Sequence, residues 1–383
     1  VVIRRWPARG ESPQRPPLNA LSYPEQVATR TLASSTGPGC PVLSTIATIQ
    51  DARPVPRMDH RSMTVFQVPP FITADSKYED EYSARRLSRQ TASGKLVRVR
   101  RGLYLPASVW ESMKPWEQER MRIQAVDVLA SRHPIFARES AALVMGLPLI
   151  HTPRQVQTVV APGLRGGQSS KGVRRTGSVE GDPVPWTMFG LKVTPPAETA
   201  RDLALQLPLS QSLPAMDKLM QREILPGSPH NVNLIFTADH VRASAALLPN
   251  GTQRRRVERV LEVADGLSQS AGESWSRAIM IQHGFPRPVL QNSYYDDRGL
   301  IGYPDFEWKE LKILGEFDGF EKYSAQRFLK GKTPSQVVVE EKKREDRLRA
   351  LGYKVVRWVW ADLQDPQRLI GLLHAAGLPS RNL

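Results

Sequence analysis

A chain of 383 residues is long enough for two or three domains, each with its own apolar core. Its 53 Lys and Arg against 38 Asp and Glu leave a net charge of +15, which points towards a polyanionic partner. The single cysteine, Cys40, excludes an internal disulfide framework and a zinc site built on cysteines. No run approaches the roughly 18 apolar residues of a membrane span, and no basic start followed by an apolar middle opens the chain, so we expect no membrane contact and a cytoplasmic protein. Residues 1–57 hold nine prolines and no sustained periodicity. Such a segment buries too little apolar surface to offset its ordering entropy, and we expect disorder there. Residue 1 is Val, whereas Met58 and Met63 stand just before the first structured pattern, so translation is expected to begin near Met58.

The first folded unit is expected over residues 64–108. Between Ser83 and Tyr104 the chain has seven basic residues and no acidic one: Arg85, Arg86, Arg89, Lys95, Arg98, Arg100 and Arg101. The spacing predicts a short helix over Tyr82 to Thr91 with Leu87 inward and arginines outward, ended by Ser93-Gly94. Leu96 to Tyr104 then alternates as a hairpin bent at Gly102. With an earlier helix somewhere in Ile72 to Asp80, these are the parts of a winged helix, in which a helix enters the major groove and the wing meets phosphates. The run Gly94-Lys95-Leu96-Val97-Arg98-Val99-Arg100-Arg101-Gly102-Leu103-Tyr104 resembles the core of the N-terminal domain of AbiEi-type antitoxins. That resemblance implies binding of double-stranded DNA through the seven basic residues, and a cognate nucleotidyltransferase toxin as a further partner.

The middle region, residues 115–250, continues the resemblance. We expect helices over Glu119 to Ser131 and Ala137 to Pro148, and strands over Val156 to Val160, Val173 to Thr176 and Leu191 to Thr194. A helix capped by Thr194, with Pro195 and Pro196 in its first turn, follows. No nucleophile triad, phosphate loop or metal-ligand spacing is visible here. His133 and His151 read as surface or packing residues, and the region as a scaffold or a partner-contacting surface.

The last unit is expected over residues 254–383, starting at the helix that opens with Arg254-Arg255-Arg256. Its most informative stretch is Tyr303-Pro304-Asp305 followed by Glu316-Phe317-Asp318-Gly319. We read two neighbouring strands, Ile301 to Trp308 and Leu311 to Phe317, turned at Lys309-Glu310. Alternation puts Asp305, Glu307, Glu316 and Asp318 on one face, and Phe306, Trp308, Leu311, Ile313 and Phe317 on the other. Burial of the apolar face pins the register and sets Asp305 diagonally across from Glu316. Two carboxylates at that separation on a rigid sheet suit Mg2+, or Mn2+ in its place, which can polarise a phosphodiester and activate water.

The order of elements from Ser268 to Leu373 resembles the PD-(D/E)XK nuclease superfamily, and more closely the Vsr-like domains at the C-termini of many actinobacterial proteins. A helix bears Glu273, the two carboxylate strands follow, and the basic helix around Glu341 to Leu348 precedes the strand Lys354 to Trp360. The resemblance makes Asp305 and Glu316 the metal ligands and Glu273 a candidate third. It also calls for a lysine two residues after the glutamate, where this chain has Asp318; Lys322 is the candidate replacement once the chain turns at Gly319. The whole is expected to be a multidomain α+β and α/β protein, with a winged helix-turn-helix, an α/β middle region and a restriction-endonuclease-like α/β/α domain. Two functions remain open: an Mg2+-dependent DNA endonuclease directed by a winged helix, and a non-catalytic AbiEi-like repressor with a degenerate nuclease fold.

Overall fold

Leu87, Leu96, Leu103 and Leu105 are all buried, and they fold the first described segments onto one another. These segments are β1 (Ile72–Thr73), α1 (Ala84–Ala92), and the hairpin strands β2 (Leu96–Arg100) and β3 (Leu103–Pro106). Leu96 pairs with Pro106 and Arg98 with Tyr104, while Ile72 pairs with Tyr104 on the other edge of β3. Ile72–Thr73 is therefore a third strand of this small sheet, and the rest of the stretch in which an earlier helix was expected, residues 74–80, lies outside the described residues. The computed structural model describes residues 70–73, 84–160, 167–169, 172–179, 181, 184–221, 236–319 and 334–381. These all fall within one compact unit, residues 61–383. The expectations for residues 1–57, Met58 and Lys322 lie outside the described residues.

After α2 (Ala107–Ser112), α3 (Pro115–Val128) packs on β2. Pro115 sits in its first turn, and the Lys114 N–H donates to Glu117 Oε2 at 2.8 Å, which satisfies an otherwise open helix start. The helix ends at Val128, short of Ser131. A six-stranded sheet follows from β4 (Ile135–Phe136), β5 (Val156–Val160), β6 (Gly167–Ser169), β7 (Val173–Gly177), β8 (Trp186–Met188) and β9 (Leu191–Val193), in the order β6-β7-β5-β4-β9-β8. The β4–β9 and β5–β7 pairs are parallel.

This sheet shares its core with α4 (Arg138–Met145), α5 (Pro196–Gln206), α6 (Leu209–Met220), α7 (Ala238–Ala246) and α8 (Gly251–Leu261). Two local readings change here. Thr194 does not cap α5; its hydroxyl pairs with that of Thr199 at 2.8 Å, and Pro195 takes the cap position. The helix with Arg254 to Arg256 buries Val257, Val260 and Leu261 in the middle core rather than in the C-terminal one. Asn250 caps it by accepting the Gln253 N–H at 2.9 Å.

The C-terminal part begins with α9 (Ala271–Gln282) and a four-stranded sheet ordered β10-β13-β14-β15, from β10 (Val289–Leu290), β13 (Phe306–Trp308), β14 (Ile313–Asp318) and β15 (Lys354–Val359). A separate ribbon, β11 (Tyr294–Asp296) and β12 (Gly299–Gly302), precedes β13, and α10 (Pro334–Ala350) precedes β15. The expected strand Ile301 to Trp308 is thus two strands in different sheets, interrupted over Tyr303 to Asp305. Leu311, expected in a strand on the apolar face, sits exposed in a 3-10 turn, Lys309–Leu311. Phe306, Trp308, Ile313, Phe317 and Trp358 pack against α9, α11 (Trp360–Gln364) and α12 (Pro366–Ala376). The other face carries the acidic residues, together with a small cluster of Tyr294, Ile301, Leu314, Leu348 and Val355. The chain as a whole is mixed α and β with several sheets, as its composition of elements suggested.

Candidate active site

Antiparallel pairing sets the site. Phe306 pairs with Gly315 and Glu307 with Leu314, and Asp305, the residue just before β13, lies at the end of this ladder, close enough to act on the Glu316 carboxyl. The register differs from the one expected, because four residues, Lys309 to Lys312, connect the two strands rather than two. Asp305 is fixed by the Phe317 N–H, which donates to Oδ2 at 2.8 Å. Its Oδ1 accepts from Gln291 Nε2 at 3.2 Å.

The same amide nitrogen reaches Glu273 Oε2 at 3.4 Å, so Gln291 joins the helix carboxylate to the sheet carboxylate. Glu273 lies in the first turn of α9, where the helix dipole favours a negative charge, and the Gln269 N–H also donates to it at 2.8 Å. Gln291 holds a φ of 53°, a conformation that side chains other than glycine seldom adopt. That strain sits at the residue joining the two acids.

Glu316 is only 3% exposed. Its oxygens are taken by two arginines: Arg344 on Oε1, and Arg357 on Oε2 at 2.9 Å. Burial pushes the Glu316 carboxyl up to about 7 despite both guanidinium groups, with Glu341 and Asp305 adding to the rise. Glu341 moves the opposite way. Burial would raise it too, but hydrogen bonds from Arg344 and Arg357 outweigh that and hold it near 2. The two glutamates share the same two cations.

Asp318 binds Arg357 with both oxygens, at 2.8 Å and 3.2 Å. Glu341 and Glu345 hold Arg357 as well, at 2.6 Å and 3.0 Å. Parallel pairing of β14 with β15 sets Arg357 beside Glu316. Sequence reasoning missed Gln291, Arg344 and Arg357. A charged residue inside the apolar run Lys354 to Trp360, and the basic helix before it, were the available signals. The structure thus gathers Glu273, Asp305, Glu316 and Asp318 around one sheet end. Glu307, on the same face, is spoken for by Tyr294 Oη at 2.5 Å and Asn292 Nδ2 at 2.6 Å.

Among the described residues, no three His, Cys, Asp or Glu side chains are arranged to hold a metal by themselves. Mg2+ does not require that, since it is commonly held by one or two carboxylates with water and phosphate oxygens completing the shell. Asp305 and Glu316 offer hard oxygen donors, and those of Glu316 are occupied by the guanidinium groups of Arg344 and Arg357. The donor set fits Mg2+ in that limited form.

The basic surface is elsewhere. On α1 and the β2–β3 hairpin, Arg85, Arg86, Arg89, Lys95, Arg98 and Arg101 are exposed and Arg100 is half-buried. His133 is exposed and pairs with the Asp127 carboxylate at 3.1 Å, and His151 stands edge-on to Trp275. Among the described residues, no helix is long and apolar enough to cross a membrane.

No family model matches the chain. It is 25% identical over 297 residues to two Mycobacterium tuberculosis proteins named uncharacterized protein MT2308 (strain CDC 1551 / Oshkosh) and uncharacterized protein Rv2248 (strain ATCC 25618 / H37Rv), across 74% of this chain and 93% of each relative. Among solved structures, the RV2827C protein from Mycobacterium tuberculosis aligns over 55% of this chain and 76% of its own, with 14% identity and a TM-score of 0.29.

Proposed function

We propose that the protein is a DNA-binding phosphodiesterase of the PD-(D/E)XK type, brought to duplex DNA by the basic helix and hairpin. The observation that carries this reading is the gathering of three carboxylates at one sheet end: Asp305 held to β14 by the Phe317 N–H, Glu316 close by on the same strand, and Glu273 tied to Asp305 through Gln291. Asp305 and Glu316 would hold Mg2+, which would polarise the phosphodiester and lower the pKa of a bound water. Hydrolysis joins the water oxygen to phosphorus and breaks one P–O ester bond. The departing alkoxide takes up a proton, and the products are an alcohol and a phosphate monoester. The chain's own part is positional: the Phe317 N–H and Gln291 aim Asp305, and the sheet fixes its distance from Glu316.

One observation favours a second reading. Both oxygens of Glu316 already carry guanidinium partners, and Asp318 stands where lysine is expected. On that basis the sheet is a binding platform, and the protein a repressor of AbiEi type with a nucleotidyltransferase partner. Incubation with supercoiled plasmid separates the two. Nicking in Mg2+ or Mn2+ that stops on adding EDTA supports the phosphodiesterase, while retarded but intact plasmid under every divalent metal supports the repressor.

A further inference from the structure

The middle region holds a cavity of about 190 Å3 between the loop joining α4 to β5 and the junction of α5 with α6. Leu149, Pro153 and Leu207 give it an apolar wall, and Leu149 and Leu207 pack against the middle core. Glu139, in the first turn of α4, also lines it. The Glu139 Oε2 is buried and has no hydrogen-bond partner among the described residues. The neighbouring Arg138 Nε is in the same condition, and Arg138 enters the helix with a φ of 53°. Unmet buried polar atoms and a left-handed arginine both cost free energy, and such costs gather where binding offsets them. Arg154 is a further lining residue; it is exposed and makes no hydrogen bond or ion pair among the described residues.

We propose that this cavity binds a cytosine mononucleotide, with the base inside against Glu139 and the phosphate at Arg154. Three features select that ligand. A cavity of about 150 Å3 holds one benzene ring, so this one suits a single pyrimidine ring with its substituents. Leu149, Pro153 and Leu207 cover the faces of such a ring. Glu139 calls for a donor, and cytosine presents the N4 amino group, from which carboxylates accept. Uracil has a carbonyl oxygen at that place and would set acceptor against acceptor. Arg154 supplies a guanidinium for the phosphate, and His151, also in the lining, adds an imidazole N–H.

The test is calorimetric titration of the wild-type chain with cytidine 5′-monophosphate, uridine 5′-monophosphate and cytidine. The cytidine nucleotide should saturate a single site with a dissociation constant below about 1 mM. The uridine nucleotide should bind at least about tenfold more weakly, the cost of one mismatched base edge. Glu139→Gln should lose that discrimination, because an amide can face either base edge. Arg154→Ala should weaken the cytidine nucleotide by about tenfold and leave cytidine, which has no phosphate, unchanged. No saturation by the cytidine nucleotide up to about 1 mM would overturn the proposal. So would equal binding of the two nucleotides, discrimination intact in Glu139→Gln, or a cytidine nucleotide indifferent to Arg154→Ala. Equal binding that vanishes with added salt would place the nucleotides on the basic hairpin through their phosphates alone. The comparison of the two nucleotides on the wild type needs no variant, so it decides the matter even if Glu139→Gln fails to fold.

Discussion

Gly272 and Phe317 set how closely α9 approaches the sheet, and with it the place of Glu273. A Cβ on Gly272 would lie 2.0 Å from Phe317 Cε1, well inside contact distance. Gly272→Ala must therefore push the helix start away from β14 or turn the ring. Overpacking of this kind destabilises by about 1–3 kcal/mol, and urea unfolding of the variant should show it. An unchanged midpoint would mean that the contact is looser than described. Asp305 and Glu316 were legible in the sequence because strand alternation put them on the face opposite Phe306, Trp308 and Phe317. Gln291, Arg344 and Arg357 were not. Gln291 reaches its acids from a left-handed backbone position that no local pattern signals, and Arg344 and Glu316 are 28 residues apart, joined only by the folding of α10 onto the sheet.

At the scale of elements, α6 and α9 are joined by a buried ion pair. Arg277 Nη1 donates to Asp217 Oδ2 at 2.7 Å, and the Asp265 N–H donates to Oδ1 at 2.8 Å. Burial pushes the Asp217 carboxyl up to about 6, against the pull of Arg277 and those hydrogen bonds. The folded protein then keeps this proton to higher pH than the unfolded chain, where the ordinary value is 3.8. Between those values the native state binds more protons, so this group's contribution to stability falls as pH rises. A shift of about two units corresponds to up to about 3 kcal/mol. Asp217→Asn, which cannot ionise, should therefore gain stability relative to the wild type between pH 4 and 6.5, read from urea midpoints. The opposite trend would mean that Arg277 outweighs burial. The pair itself was not legible, since its members are 60 residues apart. The hairpin β2–β3 was legible from its alternation. The break at Tyr303 to Asp305 was not, because Ile301 to Trp308 alternates well enough to pass for one strand; the pairing of β12 with β11 decides otherwise.

Across the whole molecule, basic residues and the acidic site fall in different parts of the chain. The proposed division of labour gives the hairpin the affinity and the C-terminal sheet the chemistry. Changing Arg98, Arg100 and Arg101 together to Ala should weaken binding to duplex DNA and make its salt dependence shallower by about one unit per lost phosphate contact. Unchanged affinity and slope in a folded variant would move the DNA contact elsewhere. The order of helices and strands was largely readable because the periodicities of the segments are local. Their assignment to cores was less so: the helix Gly251–Leu261 joins the middle core through Val257 and Leu261, a choice that composition breaks at Pro249 to Thr252 did not reveal.

The proposed hydrolysis stands or falls on Asp305. Asp305→Asn is nearly isosteric and keeps an oxygen for the Phe317 N–H, so the sheet register should survive while one hard anionic donor is lost. The decisive measurement is the rate of plasmid nicking in Mg2+ by wild type and Asp305→Asn, at protein concentrations giving equal DNA occupancy. The account predicts metal-dependent nicking by the wild type and none by the variant, with DNA binding equal in both. Equal nicking by the two proteins, or intact plasmid with the wild type, would contradict it.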